Sequence, residues 1–210
     1  MSSIDKKDLI NEIVHRLEEK TLSVFLGAGM SYDACCLDWT TLIKPYAEQL
    51  DTEVKDPIDA LQYYQTSKGV EPVALKKEIS DNFLGLKGDI RHQILSKLPI
   101  RNYWTTNFDT IMEDSITEVN FKRDIINNND AFITAQERRD NVVYKLHGDV
   151  NTPKDVVILR DDYDNYPNTH SHFITALTNE FATNSMLFLG YSLNDPDIYN
   201  VLNCLKLQNI

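Results

Sequence analysis

Short apolar segments alternate with amphipathic helical segments along most of this chain, and no other feature constrains the fold as strongly. A helix predicted over residues 4–20 precedes the apolar run Leu22–Leu26, which has the pattern of a buried strand. Further strands are predicted at Asn102–Thr106, Phe121–Ile126, Asn141–Leu146, Val156–Leu159 and Met186–Gly190. Strands that alternate with helices join in a mainly parallel sheet. The sequence therefore predicts an α/β fold, a Rossmann-type sheet with helices on both faces.

The connection between the first two strands is several times longer than the dozen or so residues that a parallel crossover requires. Helical patterns fill it, at Trp39–Leu50, Pro57–Gln65, Pro72–Phe83 and Asp89–Leu98. Helices are also predicted after the second strand, at Asp109–Val119, Asp130–Gln136, His170–Thr183 and Pro196–Leu207. We expect one domain over residues 1–210, with a helical insertion over about residues 40–98.

Charge and cysteine content exclude several classes of protein. The formal net charge is −11, so the surface repels nucleic-acid phosphates and anionic lipids. The sequence contains neither a signal peptide nor a run of 18 apolar residues, which argues against secretion and membrane insertion. Three cysteines, none in a C-x-x-C pair, argue against a disulfide framework and against a four-cysteine zinc site. We expect a cytoplasmic protein without bound metal.

Small and polar residues follow four of the predicted strands. The four motifs are Gly27-Ala28-Gly29-Met30-Ser31, Thr105-Thr106-Asn107-Phe108-Asp109, Leu146-His147-Gly148-Asp149 and Gly190-Tyr191-Ser192-Leu193-Asn194-Asp195. In open parallel sheets, ligands bind beyond the carboxyl ends of the strands. The four motifs are therefore expected to meet at one edge of the sheet and to form a single binding site.

The glycine motif after the first strand has two interpretations. Its backbone amides can contact a pyrophosphate at a helix N-terminus, or the glycines can simply allow a tight turn. The dinucleotide fingerprint of ordinary dehydrogenases needs a third glycine where this chain has Tyr32, so hydride transfer is disfavoured. Ser31 is equally compatible with binding a phosphate or ribose and with capping a helix. Trp39 can close over a ligand or pack in the core.

The second and third motifs supply the candidate catalytic groups. Asn107 and Asp109 flank one aromatic residue, so both can face the same crevice, while Asp109 can also cap the next helix. His147 directly follows a strand, and imidazole can act as a general base near neutral pH. Among the other histidines, His92 is predicted on a helix surface. His170 and His172 would form a metal pair only with further ligands.

Taken together and in this order, the four motifs resemble the NAD-binding motifs of sirtuins over nearly the whole chain. The sequence is most similar to the sirtuin-like NAD-hydrolase domains of bacterial antiphage effectors of the Thoeris type. Tyr-Trp-Thr-Thr-Asn-x-Asp, Val-Tyr-Lys-x-His-Gly-Asp and Leu-Phe-Leu-Gly-x-Ser-x-x-Asp-Pro carry this likeness. The resemblance implies a sirtuin-like sheet, NAD as substrate, and Asn107 and His147 as the catalytic pair.

The resemblance further implies an NAD nucleosidase that releases nicotinamide and leaves ADP-ribose. Its expected biological role is NAD depletion in antiphage defence. Asp109 would assist the catalytic pair, Gly27, Ala28, Gly29 and Ser31 would bind phosphate, and Gly190 and Ser192 would bind the adenosine half. A homo-oligomer, and a second sensing domain or a partner protein, are expected from the same likeness. The alternatives are a noncatalytic NAD or ADP-ribose sensor, and a protein deacylase or ADP-ribosyltransferase.

Overall fold

The computed structural model describes residues 5–35, 39–118, 122–134 and 140–192 of the chain. Within these ranges it contains five strands, β1 to β5 in chain order, which form one sheet. Their bounds are Leu22–Leu26, Asn102–Thr105, Arg123–Ile126, Asn141–Lys145 and Ser185–Leu189. All four strand pairings are parallel, in the order β3-β4-β2-β1-β5. The predicted parallel sheet is confirmed.

Ten α-helices lie within the described ranges, and they are numbered α1 to α10 in chain order. The first five are Lys6–Glu18, Ala28–Cys35, Trp39–Ala47, Pro57–Lys68 and Pro72–Ser80. The remaining five are Ile90–Leu95, Ile111–Glu118, Asn129–Thr134, Arg160–Thr169 and Ser171–Thr183. The helix predicted at Pro196–Leu207 lies outside the described residues. None of the helices within the described ranges has the length and apolar character needed to cross a membrane.

Helices cover both faces of the sheet, as predicted. On one face, α8 and α10 pack against β1, β2 and β4 through a core that includes Phe25, Trp104 and Phe173. On the other face, residues of α6 and α7 pack in a second core with Val24, Tyr103 and other strand residues. Because β1 is covered on both faces, all five of its residues are buried. Four are apolar, and the fifth, Ser23, donates a hydrogen bond to the carboxylate of Glu180.

A third core lies between the helices that follow α2 and the loops at the carboxyl ends of the strands. It joins α3, α4 and α5 to Val156, Ile158 and Leu159 and to Phe108, which follows β2. Through these contacts the insertion packs against the carboxyl-end side of the sheet. This position lets the insertion form one wall of any site located there.

The strand predicted at Val156–Leu159 is wrong. Residues 156–158 are buried but adopt no regular structure, and Leu159 directly precedes α9. The carboxylate of Asp162 accepts hydrogen bonds from the backbone amides of Ile158 and Leu159, at 3.1 and 2.9 Å. Side-chain hydrogen bonding thus satisfies backbone groups that a strand would pair with a neighbour. Burial in this third core, and not in the sheet, accounts for the apolar run.

Candidate active site

The carboxyl ends of the strands surround a cavity of about 530 Å³. Eight of the nine sequence-predicted site residues line it: Ala28, Gly29, Ser31, Asn107, Asp109, His147, Gly190 and Ser192. The ninth, Gly27, does not line the cavity but accepts a hydrogen bond from the side chain of Asn107. The structure therefore brings the four motifs together at one edge of the sheet.

The glycine motif after β1 and the Gly190 motif after β5 meet by direct backbone contact. The amide of Gly27 donates to the carbonyl oxygen of Leu189, and the amide of Gly29 donates to that of Gly190, each at 2.9 Å. A Cβ atom on Gly27 would lie 2.5 Å from the carbonyl oxygen of Gly190. Close packing of the two turns therefore requires glycine, independently of any ligand. The helix N-terminus that remains for an anion is the start of α2 at Ala28.

Asn107 is held by three hydrogen bonds. Its amide nitrogen Nδ2 donates to the carbonyl oxygen of Gly27 and to Oγ of Ser31, both at 3.1 Å. Its backbone amide donates to Oγ1 of Thr105, which in turn donates to the carbonyl oxygen of Leu26. Because Nδ2 is used within the chain, Oδ1 is the group that can accept a hydrogen bond from a ligand or a water molecule.

Asp109 combines the two roles that its sequence position allowed. Its Oδ1 accepts a hydrogen bond of 3.0 Å from the backbone amide of Ile111, at the start of α7. Its Oδ2 is buried and has no hydrogen-bond partner among the described residues, although the side chain lines the cavity. Burying a carboxylate oxygen without a hydrogen-bond partner lowers the stability of the folded protein, and such an unsatisfied group is typical of a site where it acts on a ligand.

His147 is 4% exposed and lies among aromatic rings of α9. The ring centroids of Tyr163 and Tyr166 lie 5.4 and 6.1 Å from that of its imidazole, both nearly perpendicular to it. The next residue, Gly148, has a φ of +83°, and a Cβ there would lie 2.7 Å from the carbonyl oxygen of Asp155. The glycine thus lets the chain turn sharply after the histidine and leave the imidazole at the cavity.

An apolar wall faces these polar groups. Trp39, Leu42, Ile58 and Phe83 from the insertion region line the cavity together with Phe108. The rings of Trp39 and Phe83 lie 6.5 and 5.6 Å from that of Phe108, so Trp39 both packs and faces the cavity. Tyr163 completes the lining from α9. No sequence pattern indicated Tyr163, because α9 is polar, contains Pro167 and was not predicted as a helix.

Two of the other histidines are buried. His92 is buried in α6, where its Nδ1 accepts a hydrogen bond from the backbone amide of Asp89, so its predicted surface position is wrong. It lines a small pocket of about 10 Å³ beside Asn107, Asp109 and Glu113. His170 stacks on Tyr166 at 4.3 Å. Across the described residues, no cluster of three or more His, Cys, Asp or Glu side chains could hold a metal ion.

Comparison with known proteins identifies the family. Residues 101–209 match the family described as SIR2-like domain, and this stretch makes up just over half of the chain. The chain belongs to the SIR2-like family. The matching stretch contains the motifs with Asn107, His147 and Gly190, but not the glycine motif after β1.

This SIR2-like chain is also similar to longer curated proteins. It is 32% identical over 207 residues to the NAD(+) hydrolase ThsA of Cytobacillus dafuensis, an alignment covering 97% of this chain and 42% of that protein. The NAD(+) hydrolase ThsA of Enterococcus faecium is 33% identical over 209 residues, with 97% and 44% covered. Defense-associated sirtuin 2 of Bacillus subtilis is 27% identical over 214 residues, with 96% and 21% covered. The chain thus spans less than half the length of these relatives.

The contact between the two glycine turns leads to a prediction for Gly190→Ala. Gly190 has a φ of +61°, and a Cβ there would lie 2.5 Å from the backbone nitrogen of Met30. Strain and overpacking together should lower the free energy of unfolding by about 2–5 kcal/mol, measured by urea denaturation. Gly85→Ala is the matched control, because Gly85 has a φ of +67° but open space around it. Its cost should be about 1–2 kcal/mol. Equal losses in the two variants would contradict the close contact.

A second prediction concerns pH. Burial, and next the nearby imidazole of His147, lower the pKa of His170 from its ordinary 6.5 to about 4. The unfolded chain therefore binds more protons than the folded chain between these pH values, and stability falls as pH decreases through this range. The loss attributable to His170 between pH 7 and pH 5 is about 2 kcal/mol.

Urea unfolding at pH 7 and pH 5 measures this contribution. His170→Gln should reduce the pH dependence by that amount, even though loss of the ring stack lowers its stability at both pH values. A His170→Gln variant with the wild-type pH dependence would show that His170 does not titrate as described.

Proposed function

We propose that this SIR2-like chain is an NAD hydrolase that cleaves the bond between nicotinamide and ribose, releasing nicotinamide and ADP-ribose. The observation that carries the proposal is the cavity lined by Asn107, Asp109 and His147 beside the start of α2. The similarity to proteins named NAD(+) hydrolase over 97% of the chain supports the same conclusion.

The chemistry of the substrate explains why these groups suffice. Nicotinamide in NAD is already a cation and leaves as a neutral molecule, so its departure needs little acid catalysis. The site must stabilise a positively charged, oxocarbenium-like ribose and present water to it. We assign the stabilisation of this positive centre to Asp109, whose Oδ2 has no partner among the described residues.

The other two groups, His147 and Asn107, activate and position the nucleophile. His147 acts as the base toward a ribose hydroxyl or the attacking water. Asn107 holds that water or hydroxyl through Oδ1, because its Nδ2 is occupied by the backbone of Gly27 and by Ser31. Both assignments place neutral groups next to the developing positive charge, where a fixed cation would oppose the reaction.

Binding of the dinucleotide is assigned to the turns after β1 and β5. The pyrophosphate lies at the N-terminus of α2, near Ala28, Gly29 and Ser31, where the helix dipole favours an anion. Gly27 stabilises this turn through its backbone hydrogen bonds with β5 and with the side chain of Asn107. Gly190 and Ser192 contact the adenosine half. The apolar wall with Trp39 and Phe108 shields the reacting bond from bulk water.

The biological setting is part of the proposal. By its resemblance to antiphage effectors of the Thoeris type, the chain depletes NAD in the cytoplasm during phage infection. It does so as a homo-oligomer, with a sensing domain or a partner protein that controls its activity. Neither zinc, nucleic acid nor a membrane takes part, because three cysteines cannot supply a four-cysteine site and the net charge is −11.

The proposal predicts different effects on turnover and on binding. His147→Ala and Asn107→Ala should each reduce nicotinamide release from NAD by roughly 10²-fold or more, because each removes an interaction that is strongest in the transition state. Binding of NAD, measured by calorimetric titration, should remain within a few-fold of wild type. His15→Ala and Asn168→Ala, both exposed, are the matched controls and should behave as wild type.

The same experiment separates the hydrolase from its alternatives. Circular dichroism establishes that each variant is folded. A wild-type protein that binds NAD but releases no nicotinamide in any oligomeric state is a sensor and not a hydrolase. Nicotinamide release that requires an acylated or acceptor protein would indicate a deacylase or an ADP-ribosyltransferase.

A further inference from the structure

Lys145, the last residue of β4, has a completely buried side chain at 0% exposure. Lysine is almost never fully buried unless its ammonium is paired. Burial alone would lower the pKa of Lys145, but the carboxylates of Glu113 and Asp149 more than offset this effect and raise it. Lys145 is therefore a cation in the interior of the protein, directly behind the candidate active site.

The ammonium of Lys145 joins three separate segments of the chain. Its Nζ lies 2.7 Å from Oε1 of Glu113 in α7 and 2.7 Å from Oδ2 of Asp149 in the turn after β4. It also donates to the backbone carbonyl oxygens of Phe108, at 3.2 Å, and of Asp109. These two carbonyls belong to the peptide groups on either side of Asp109.

Stability alone is a poor explanation for such a cluster. Removing three charged groups from water costs several kcal/mol per ion, and well-packed apolar residues of similar volume are often as stable or more stable. Burial also raises the pKa of the Glu113 carboxyl, which reflects the same cost. An ammonium provides directional hydrogen-bond donors to the carbonyl oxygens after β2, which an apolar side chain cannot provide.

The position of these contacts connects them to the reaction. The held segment carries Asp109 and directly follows Asn107, while His147 lies two residues beyond Lys145 on the same strand end. The ammonium thus links the loop that carries two proposed catalytic groups to the strand that positions the third. Displacements of about 1 Å in such groups can reduce turnover by about 100-fold.

We propose that Lys145 is a positioning residue, whose buried ammonium fixes the Asn107–Asp109 loop relative to His147 for catalysis. The proposal rests on the proposed NAD hydrolysis for its kinetic test, and on the geometry of the loop for an independent one. Lys145 itself does not line the cavity, so it acts through the residues that do.

The test must separate positioning from charge burial. Lys145→Met alone leaves Glu113 and Asp149 buried without their cation and should lower the melting temperature strongly. The triple variant Lys145→Met/Glu113→Gln/Asp149→Asn removes all three charges and should regain most of that stability. It still lacks the ammonium that donates to the carbonyls of Phe108 and Asp109.

We expect the triple variant to reduce kcat for nicotinamide release at least 10-fold, with a Kd for NAD within about threefold of wild type. Amide hydrogen exchange in residues 107–111 should accelerate at least 10-fold relative to wild type. Lys76→Met is the matched control. Lys76 is also a buried lysine, paired with Asp162 at 2.5 Å, but it lies outside the cavity lining. It should lower stability while leaving kcat and exchange in residues 107–111 unchanged.

A folded triple variant with wild-type kcat and wild-type exchange would overturn the proposal. If the triple variant does not fold, Lys145→Arg decides. The guanidinium keeps the positive charge but presents its donors in a larger, planar fork, so the carbonyls of Phe108 and Asp109 should move and kcat should fall in a folded protein. Wild-type kcat would overturn the proposal. If the wild type releases no nicotinamide, the proposed function fails, and hydrogen exchange alone then tests the positioning role.

Discussion

Backbone contact between the turns after β1 and β5 is the constraint on which the site depends. The amides of Gly27 and Gly29 donate to the carbonyls of Leu189 and Gly190, and this contact leaves no room for side chains. It places the start of α2, the side chain of Asn107 and the turn after β5 next to each other. The parallel sheet aligns the strand ends, but the glycines determine how closely their turns approach.

Parallel pairing and the strand-end motifs could be read directly from the sequence. Apolar runs followed by small or polar residues predicted the strands, and the carboxyl-end rule predicted that Asn107, His147 and Gly190 meet. The glycines were interpreted as phosphate-binding residues or as a tight turn. In the structure the amide of Gly29 is occupied by Gly190, so the packing role is satisfied whatever ligand binds.

Features that depend on tertiary contacts could not be predicted. Val156–Leu159 has the composition of a strand, but the carboxylate of Asp162 accepts hydrogen bonds from the amides of Ile158 and Leu159, and the core around α3, α4 and α5 buries three of the four side chains. Helix α9 has few apolar residues, so its periodicity gave no signal, and Tyr163 was missed with it. Burial of Lys145 likewise depends on Glu113, which is distant from it in sequence, and on Asp149, which contacts it only because the chain turns back after β4. No local sequence pattern reveals these contacts.

The charges around the cavity favour the proposed reaction at the ribose, although the net charge of −11 does not by itself attract an anionic dinucleotide. Of the described residues that line the cavity, none is lysine or arginine, while Asp109 and the aromatic wall face its interior. In the proposed complex, helix α2 would attract the pyrophosphate through its dipole without placing a cation near the ribose, where positive charge would develop. The buried cation at Lys145 does not line the cavity and is paired with two carboxylates.

A crystal structure of the Asn107→Ala variant with intact NAD would show where the dinucleotide binds. We expect its pyrophosphate at the start of α2, near Ala28 and Ser31, and its nicotinamide ribose between Asp109 and His147. NAD bound outside the cavity, or bound with its adenine at Asp109 and His147, would refute the proposed hydrolase site.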